Sequence, residues 1–346
     1  MKQTFRKRFG IVMCAVLMVS MMTGCQRSSS EEKVSKQGFY FDTIIQITLY
    51  GTSDGSYIDE CFKLAKKYED LFSNTIATSE ISQINDAAGI SSVVVSDDTL
   101  ELIQKGIEYG DLSDGKFDIT IGGLSDMWNF SEIAENASSD DNEVDASVIP
   151  SDTDIADALL HVDYHNVQIS GNNVMLTDPD ARLDLGGIAK GYIADKMKEY
   201  LKSQDITSGI INLGGNVLTI GEKSDGSDYT VGIQKPFDAS GDAVCTLKVN
   251  DKSIVTSGIY ERYYRVDGQI YHHILDTSTG YPVKNNLYSV TIISDSSCDG
   301  DALSTACFAL GIDKAKELIA SLSNVDAIFV TDDYSIITTS DKYIQN

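Results

Sequence analysis

Three short stretches carry residues whose types and spacing could do chemistry. The first is Asp184-Leu-Gly-Gly-Ile-Ala-Lys-Gly-Tyr-Ile-Ala-Asp195. Its adjacent glycines let a backbone approach a ligand closely, and a helix beginning near Gly187 would aim free N–H groups at an anion. Lys190 adds a positive charge one turn in. The order of residues matches neither Walker A nor G-x-G-x-x-G. Asp184 suits a phosphate only if it bonds another part of the ligand. Alone, the stretch reads first as a capped helix with a tight glycine turn and Lys190 on its solvent face. The second stretch runs from Cys298 to Gly311. Asp301 and Thr305 are four apart, so on a helix they share a face, and oxygen ligands with open positions suit Mg²⁺ beside substrate phosphates. An N-terminal helix acid and a core threonine bonded back to its own helix would account for them equally. The third joins Thr256–Arg262 to Tyr271-His-His-Ile-Leu-Asp-Thr-Ser-Thr-Gly-Tyr-Pro282. Adjacent histidines on a strand face opposite sides, so one of the two could enter a site as a general base. A structural histidine is the commoner role.

The elements that must position these residues follow from periodicity. Phe39–Tyr50 alternates as a strand, and Ser56–Phe72 repeats apolar residues at helical spacing. Ser79–Asn85 reads as a short helix capped by Ser79, and Asp97–Tyr109 as another helix. Short strands are expected at 167–170, 174–177 and 182–185, a helix at 187–201, and a strand at 209–220 broken by Gly214-Gly215. Further strands are expected at 229–234, 243–249, 263–266, 269–275 and 288–293, with a hairpin at Asp267-Gly268. Helices at 301–311 and 314–321 and a hairpin of 327–330 with 335–339 complete the pattern. Strand-rich runs with inserted helices predict an α+β fold with largely antiparallel sheets. The acidic, serine-rich run 131–154 reads as a surface insertion or mobile loop.

The N-terminus bears on compartment. Lys2, Arg6, Lys7 and Arg8 precede an uncharged apolar run, Ile11–Met22, which ends at Thr-Gly-Cys25. This predicts a signal peptide over 1–24 with a lipobox-like end, since the run is too short to span a bilayer. Cys25 is the expected lipidation site, 25–37 a polar tether, and 38–346 the folded domain. Lipid anchoring would place the protein on the outer face of the cytoplasmic membrane or the periplasmic side. Cleavage would take the net charge from −25 to −29. So acidic a surface excludes nucleic acid as a partner and leaves the lipid chains to anchor the protein. The remaining cysteines show neither zinc spacing nor a disulfide framework, and Cys61 and Cys307 read as buried thiols.

Singly these signals are modest, but their order is specific. Phe41-Asp-Thr43, Ser79–Asn85, Gly115-Lys-Phe-Asp-Ile-Thr-Ile-Gly-Gly-Leu124, Asp184–Gly191, Asn212-Leu-Gly-Gly215, Ser257–Arg262, His273–Asp276 with Thr279-Gly280, and Asp301–Thr305 follow one another. In this order the chain resembles the ApbE family of FAD:protein FMN transferases. The resemblance runs from about Tyr40 to the C-terminal hairpin. It implies a single ApbE-like, T-fold-related domain with flanking helices. It also implies Mg²⁺-dependent transfer of FMN from FAD to a threonine or serine of a membrane or exported redox protein, with release of AMP. On the resemblance, Asp184 and Lys190 contact FAD. Phe41, Phe117, Asp118, Ile119, Ile274 and Leu275 match flavin-lining segments. The Gly187 carbonyl, Asp301 and Thr305 hold the metal, and His273 takes the acceptor proton. Phe41-Asp42 stands where Met-Gly is common in the family, and Gly123 and Thr277 stand where proline is common. Two other activities share this residue set: cleavage of FAD to FMN and AMP with water as acceptor, and non-enzymatic FAD binding by a lipoprotein.

Overall fold

The computed structural model describes residues 32–137, 142–238 and 240–345. The expected signal segment, Cys25 and the tether up to residue 31 lie outside the described residues. In chain order the strands are β1 (Lys33–Tyr40), β2 (Thr43–Tyr50), β3 (Val93–Val94), β4 (Val167–Ser170), β5 (Asn173–Leu176), β6 (Gly209–Leu213), β7 (Asn216–Ile220) and β8 (Tyr229–Gln234). They continue with β9 (Ala243–Val249), β10 (Ser253–Gly258), β11 (Tyr263–Val266), β12 (Gln269–His272), β13 (Leu287–Ser294), β14 (Asp326–Thr331), β15 (Ile336–Thr338) and β16 (Ile344–Gln345). The helices are α1 (Ser56–Phe72), α2 (Glu80–Asp86), α3 (Asp97–Leu112), α4 (Gly122–Trp128), α5 (Phe130–Asn136), α6 (Asp152–Leu159), α7 (Ala189–Ser203), α8 (Ser297–Leu310) and α9 (Ile312–Ser321). Among the described residues no helix is long and apolar enough to cross a membrane.

The main sheet has eight strands in the order β1-β2-β6-β7-β10-β13-β14-β15, every pair antiparallel. This is the expected α+β architecture. Alternation sends Ile45, Ile47 and Leu49 of β2 toward a core shared with α1, α7 and α8. Residues of opposite parity, such as Ile254, Ile293 and Ile328, pack instead against a smaller sheet, β16-β9-β8. The middle strands are therefore covered on both faces, which is why β13 is buried almost throughout. A third cluster around Trp128 joins α4, α5 and α6 to the β11–β12 hairpin. Cys61, Cys298 and Cys307 are buried free thiols, and Cys245 is half-buried.

Helix α8 is buried nearly all round, between the sheet and α7. Small residues set its distance. A Cβ on Gly191 would come within 2.2 Å of the Ser297 carbonyl oxygen, so the two helix starts pack backbone to backbone. Asp195 of α7 reaches across and accepts the N–H groups of Ser297 and Cys298, both at 2.9 Å, capping α8 from outside.

Several elements differ from the sequence expectation. The run 39–50 is two strands: β1 begins at Lys33, inside the expected tether, and turns at Phe41-Asp42 into β2. Both turn residues have φ near 53°, the requirement of a tight two-residue hairpin. Glycine meets that requirement without strain; aspartate tolerates it and phenylalanine does so poorly. Residues 182–185 form no strand, only a bridge from Arg182 to Ile121. β10 was not expected, because Ser-Ile-Val-Thr-Ser-Gly does not alternate. The acidic run 131–154 is not a bare loop in its described part. It holds α5 and the start of α6, the Val144 N–H donates to the Arg265 carbonyl at 2.9 Å, and Ile133, Val144, Val148 and Ile149 pack on the Trp128 cluster.

Candidate active site

The three chemical stretches meet where α7 faces α8 near the C-terminal end of β10. Asp301 lies one turn inside α8 rather than at its cap, since Ser296 occupies that position. Its carboxylate is buried, and Oδ2 accepts the Gly191 N–H at 2.9 Å. Burial pushes its pKa up, opposed by the Lys190 charge and the backbone N–H groups of α7. Thr305 stands on the same face of α8, with its Oγ1 3.1 Å from Ser257 Oγ of β10. Ser257 Oγ also lies 2.7 Å from Ser304 Oγ. A Cβ on Gly187 would sit 3.9 Å from Thr305 Oγ1 and 3.0 Å from the Phe117 ring, so Gly187 is wedged between the two.

Helix α7 starts at Ala189, two residues later than expected, with no side-chain cap on its first turn. Gly187 therefore belongs to the preceding loop, which is held from behind. Asn85 of α2 accepts the Leu183 N–H at 2.7 Å and donates to the Leu183 carbonyl at 3.1 Å. The Asp184 N–H donates to the Ile119 carbonyl at 2.8 Å, and its Oδ1 accepts the Gly186 N–H at 2.7 Å. Lys190 Nζ donates to the Gly186 carbonyl at 3.2 Å. This bond ties the lysine back over the glycine turn.

His272 and His273 point apart, and the strand ends between them. His272 is buried: its Nε2 lies 3.0 Å from the Val283 carbonyl, and Nδ1 accepts the Ile274 N–H at 3.3 Å. Burial lowers its pKa to about 4, so it is a neutral structural residue. His273 follows β12. Its backbone N–H and its Nδ1 both point to the Arg262 carbonyl, at 3.1 and 3.3 Å. A carbonyl only accepts, so this bond assigns the proton to Nδ1 and leaves Nε2 as a lone-pair acceptor. Crowding by protein, then the Arg262 charge, lower the His273 pKa. Glu261 is crowded too and is pushed up to about 7, opposed by Lys190 and Arg262 and assisted by Asp301. Both residues also keep surface open to solvent.

The remaining expected residues divide by how much of the side chain is free. Phe117 is buried against Tyr109 and Gly187. Phe41 is half-buried at its strained turn, its N–H donating to Glu69 at 2.8 Å. Asp118 is saturated: it accepts from the Thr120 N–H at 2.7 Å, the Thr120 hydroxyl at 2.6 Å and the Tyr164 N–H at 2.9 Å. Ile119 and Ile274 are in the main core, and Leu275 is in the Trp128 cluster. These four can meet a ligand through backbone only. Asp195 and Glu261 were not anticipated. Asp195 closes the first stretch and Glu261 lies within the third, so both were in view without a partner to give them a role. Elsewhere among the described residues, His161, Asp178 and Asp180 form the one group of metal-capable side chains, where a His161 Nδ1–Asp178 hydrogen bond of 2.9 Å accounts for the grouping.

Known proteins resemble this chain along most of its length. The sequence model of the ApbE family matches residues 41–329. The chain is 38% identical over 303 residues to an FAD:protein FMN transferase of Klebsiella pneumoniae, covering 87% of this chain and 90% of that one. It is 29% identical over 345 residues to an FAD:protein FMN transferase of Treponema pallidum, covering 94% and 91%. Among solved structures, the ApbE protein of Thermotoga maritima superposes with a TM-score of 0.78 at 31% identity, covering 88% of this chain and 96% of that one. The flavin transferase ApbE of Vibrio cholerae gives 0.78 at 26% identity, covering 90% and 98%.

Proposed function

The chain belongs to the ApbE family and is an FAD:protein FMN transferase; on that premise we propose how its residues divide the reaction. The observation that carries the reading is the buried Asp301 carboxylate beside Thr305 Oγ1 and the Gly187 loop. A carboxylate that burial disfavours, on the same helix face as a threonine hydroxyl, fits a hard divalent cation. Asp301, Thr305 and the Gly187 carbonyl would hold Mg²⁺. When bound, the ion supplies positive charge against the pyrophosphate of FAD.

The chain's own residues do the rest. Lys190 and Asp184 bind FAD from the glycine turn. Phe41 and Phe117 line the flavin, with the backbone of Asp118, Ile119, Ile274 and Leu275. His273 Nε2 accepts the proton of a threonine or serine hydroxyl on the acceptor protein. That oxygen forms a bond to the FMN phosphorus, the bridging phosphoanhydride bond breaks, and AMP leaves with the bonding electrons. Nε2 suits this task because Nδ1 is already committed to the Arg262 carbonyl.

The test uses the protein from Gln26 onward with FAD, Mg²⁺ and a threonine-bearing domain of an exported redox protein. AMP with an FMN-sized mass gain on the acceptor is the expected result. AMP with free FMN and an unmodified acceptor would replace transfer by pyrophosphate cleavage. FAD recovered unchanged would leave binding without catalysis.

We also infer an outer-face, lipid-anchored location from the short apolar run ending at Cys25. Replacing Cys25 with alanine should move the protein from the membrane fraction to the soluble fraction. Continued membrane retention, with no loss of lipid label, would overturn the anchor.

A further inference from the structure

Two loops flank the proposed reaction centre, and long-range bonds tie them together. One carries Gly115, Lys116 and Phe117; the other follows His273. Lys116 Nζ donates to Asp276 Oδ1 at 2.7 Å and to Ser278 Oγ at 3.0 Å. Thr277 Oγ1 donates to the Gly115 carbonyl at 2.7 Å. Three consecutive residues of one loop thus hold two consecutive residues of the other, about 160 positions away in the chain. Asp276 Oδ1 also accepts the Ser278 N–H at 2.9 Å, so the carboxylate is fixed within its own turn before it meets Lys116. Behind this turn, Trp128 Nε1 donates to the Gly280 carbonyl at 2.8 Å.

We propose that Lys116, Asp276 and Thr277 are positioning residues: a latch that sets His273 at a fixed distance from the wall formed by Phe117 and Gly187. His273 is three residues from Asp276, and Phe117 adjoins Lys116, so any slack in the latch is transmitted to both sides of the centre. The ion pair is only partly exposed, with side chains 24% and 26% accessible, and it makes its bonds within a defined turn. It therefore differs from the mobile surface pairs that contribute little. The proposal rests on His273 being the proton acceptor.

The experiment measures kcat for FMN transfer at saturating FAD, FAD affinity by flavin fluorescence, and the melting temperature. The variants are Asp276→Asn, Lys116→Met and Thr277→Val. Misplacing a base by about an ångström costs on the order of a hundredfold. Asp276→Asn and Lys116→Met should each lower kcat by roughly ten- to a hundredfold, with FAD affinity and melting temperature little changed. Lys116→Met leaves the Ser278 bonds to Asp276 intact, which keeps a folded variant in hand. Lys116→Arg should recover part of the loss. In a His273→Ala background, Asp276→Asn should cause no further loss, since the latch acts through the missing ring. An unchanged kcat in both single variants, or a further full loss in that background, would overturn the latch. Full transfer by His273→Ala alone would instead overturn the reading on which it rests.

Discussion

Asp301→Ala should abolish Mg²⁺-dependent FAD turnover, by about a thousandfold or more, while the protein stays folded. A bound divalent ion supplies several kcal/mol of charge stabilisation, and about 1.4 kcal/mol is tenfold in rate. The fold should survive because Asp301 contributes little to it. Its carboxylate is disfavoured by burial, and its described hydrogen bond is with a backbone N–H at the start of α7. Losing that bond should cost only about 1–2 kcal/mol, against which removal of a buried charge gives some relief. The check is a pair of measurements on one preparation: Mg²⁺ titration by calorimetry, and AMP release from FAD. Loss of both with a retained melting transition is the expected outcome. Unchanged AMP release would remove Asp301 from the metal site, and the shared face with Thr305 would then be a packing feature.

His273→Ala should slow transfer by roughly a hundred- to ten-thousandfold, the usual scale of general acid–base catalysis, and leave FAD affinity within about threefold. The pH dependence of kcat/KM adds an independent readout. The His273 pKa is lowered, so its neutral form persists below the ordinary histidine value of about 6.5. The acid limb belonging to His273 should therefore fall below pH 6.5, and activity should not decline through that group between pH 8 and pH 6.5. Glu261, raised to about 7, is the neighbour that could titrate in that window. A limb near 7 that survives His273→Ala and vanishes in Glu261→Gln belongs to Glu261. If His273→Ala weakens FAD binding and slows transfer by the same factor, the ring is a binding group and not the base.

Local chemistry was legible wherever the relevant partners are close in sequence. Ser79 caps α2 by accepting the Ser82 N–H at 2.9 Å, as a serine before a helical run should. Asp267 and Gly268 both take positive φ in the β11–β12 turn, as Asp-Gly demands. Asp301 and Thr305 share a face of α8 because four residues make about one helical turn. The order of motifs was enough to identify the family.

What the linear order could not decide is pairing across long separations. β10 lacks alternation because both its faces are covered, and a strand buried on both sides has no polar face to announce it. The turn at Phe41-Asp42 opens on a phenylalanine and has no glycine, so a hairpin read as one strand. Asp195 caps α8 from about a hundred residues away in the chain, and the Lys116–Asp276 pair joins residues about 160 apart. The sequence by itself determined which groups were available, through spacing that one turn or one strand converts into a shared face. Only the tertiary structure decided which Nε2 was free, which carboxylate was buried and which loops were tied together. Those properties arise from neighbours brought together by sheet register and helix packing, and neither is encoded within the span of a single turn.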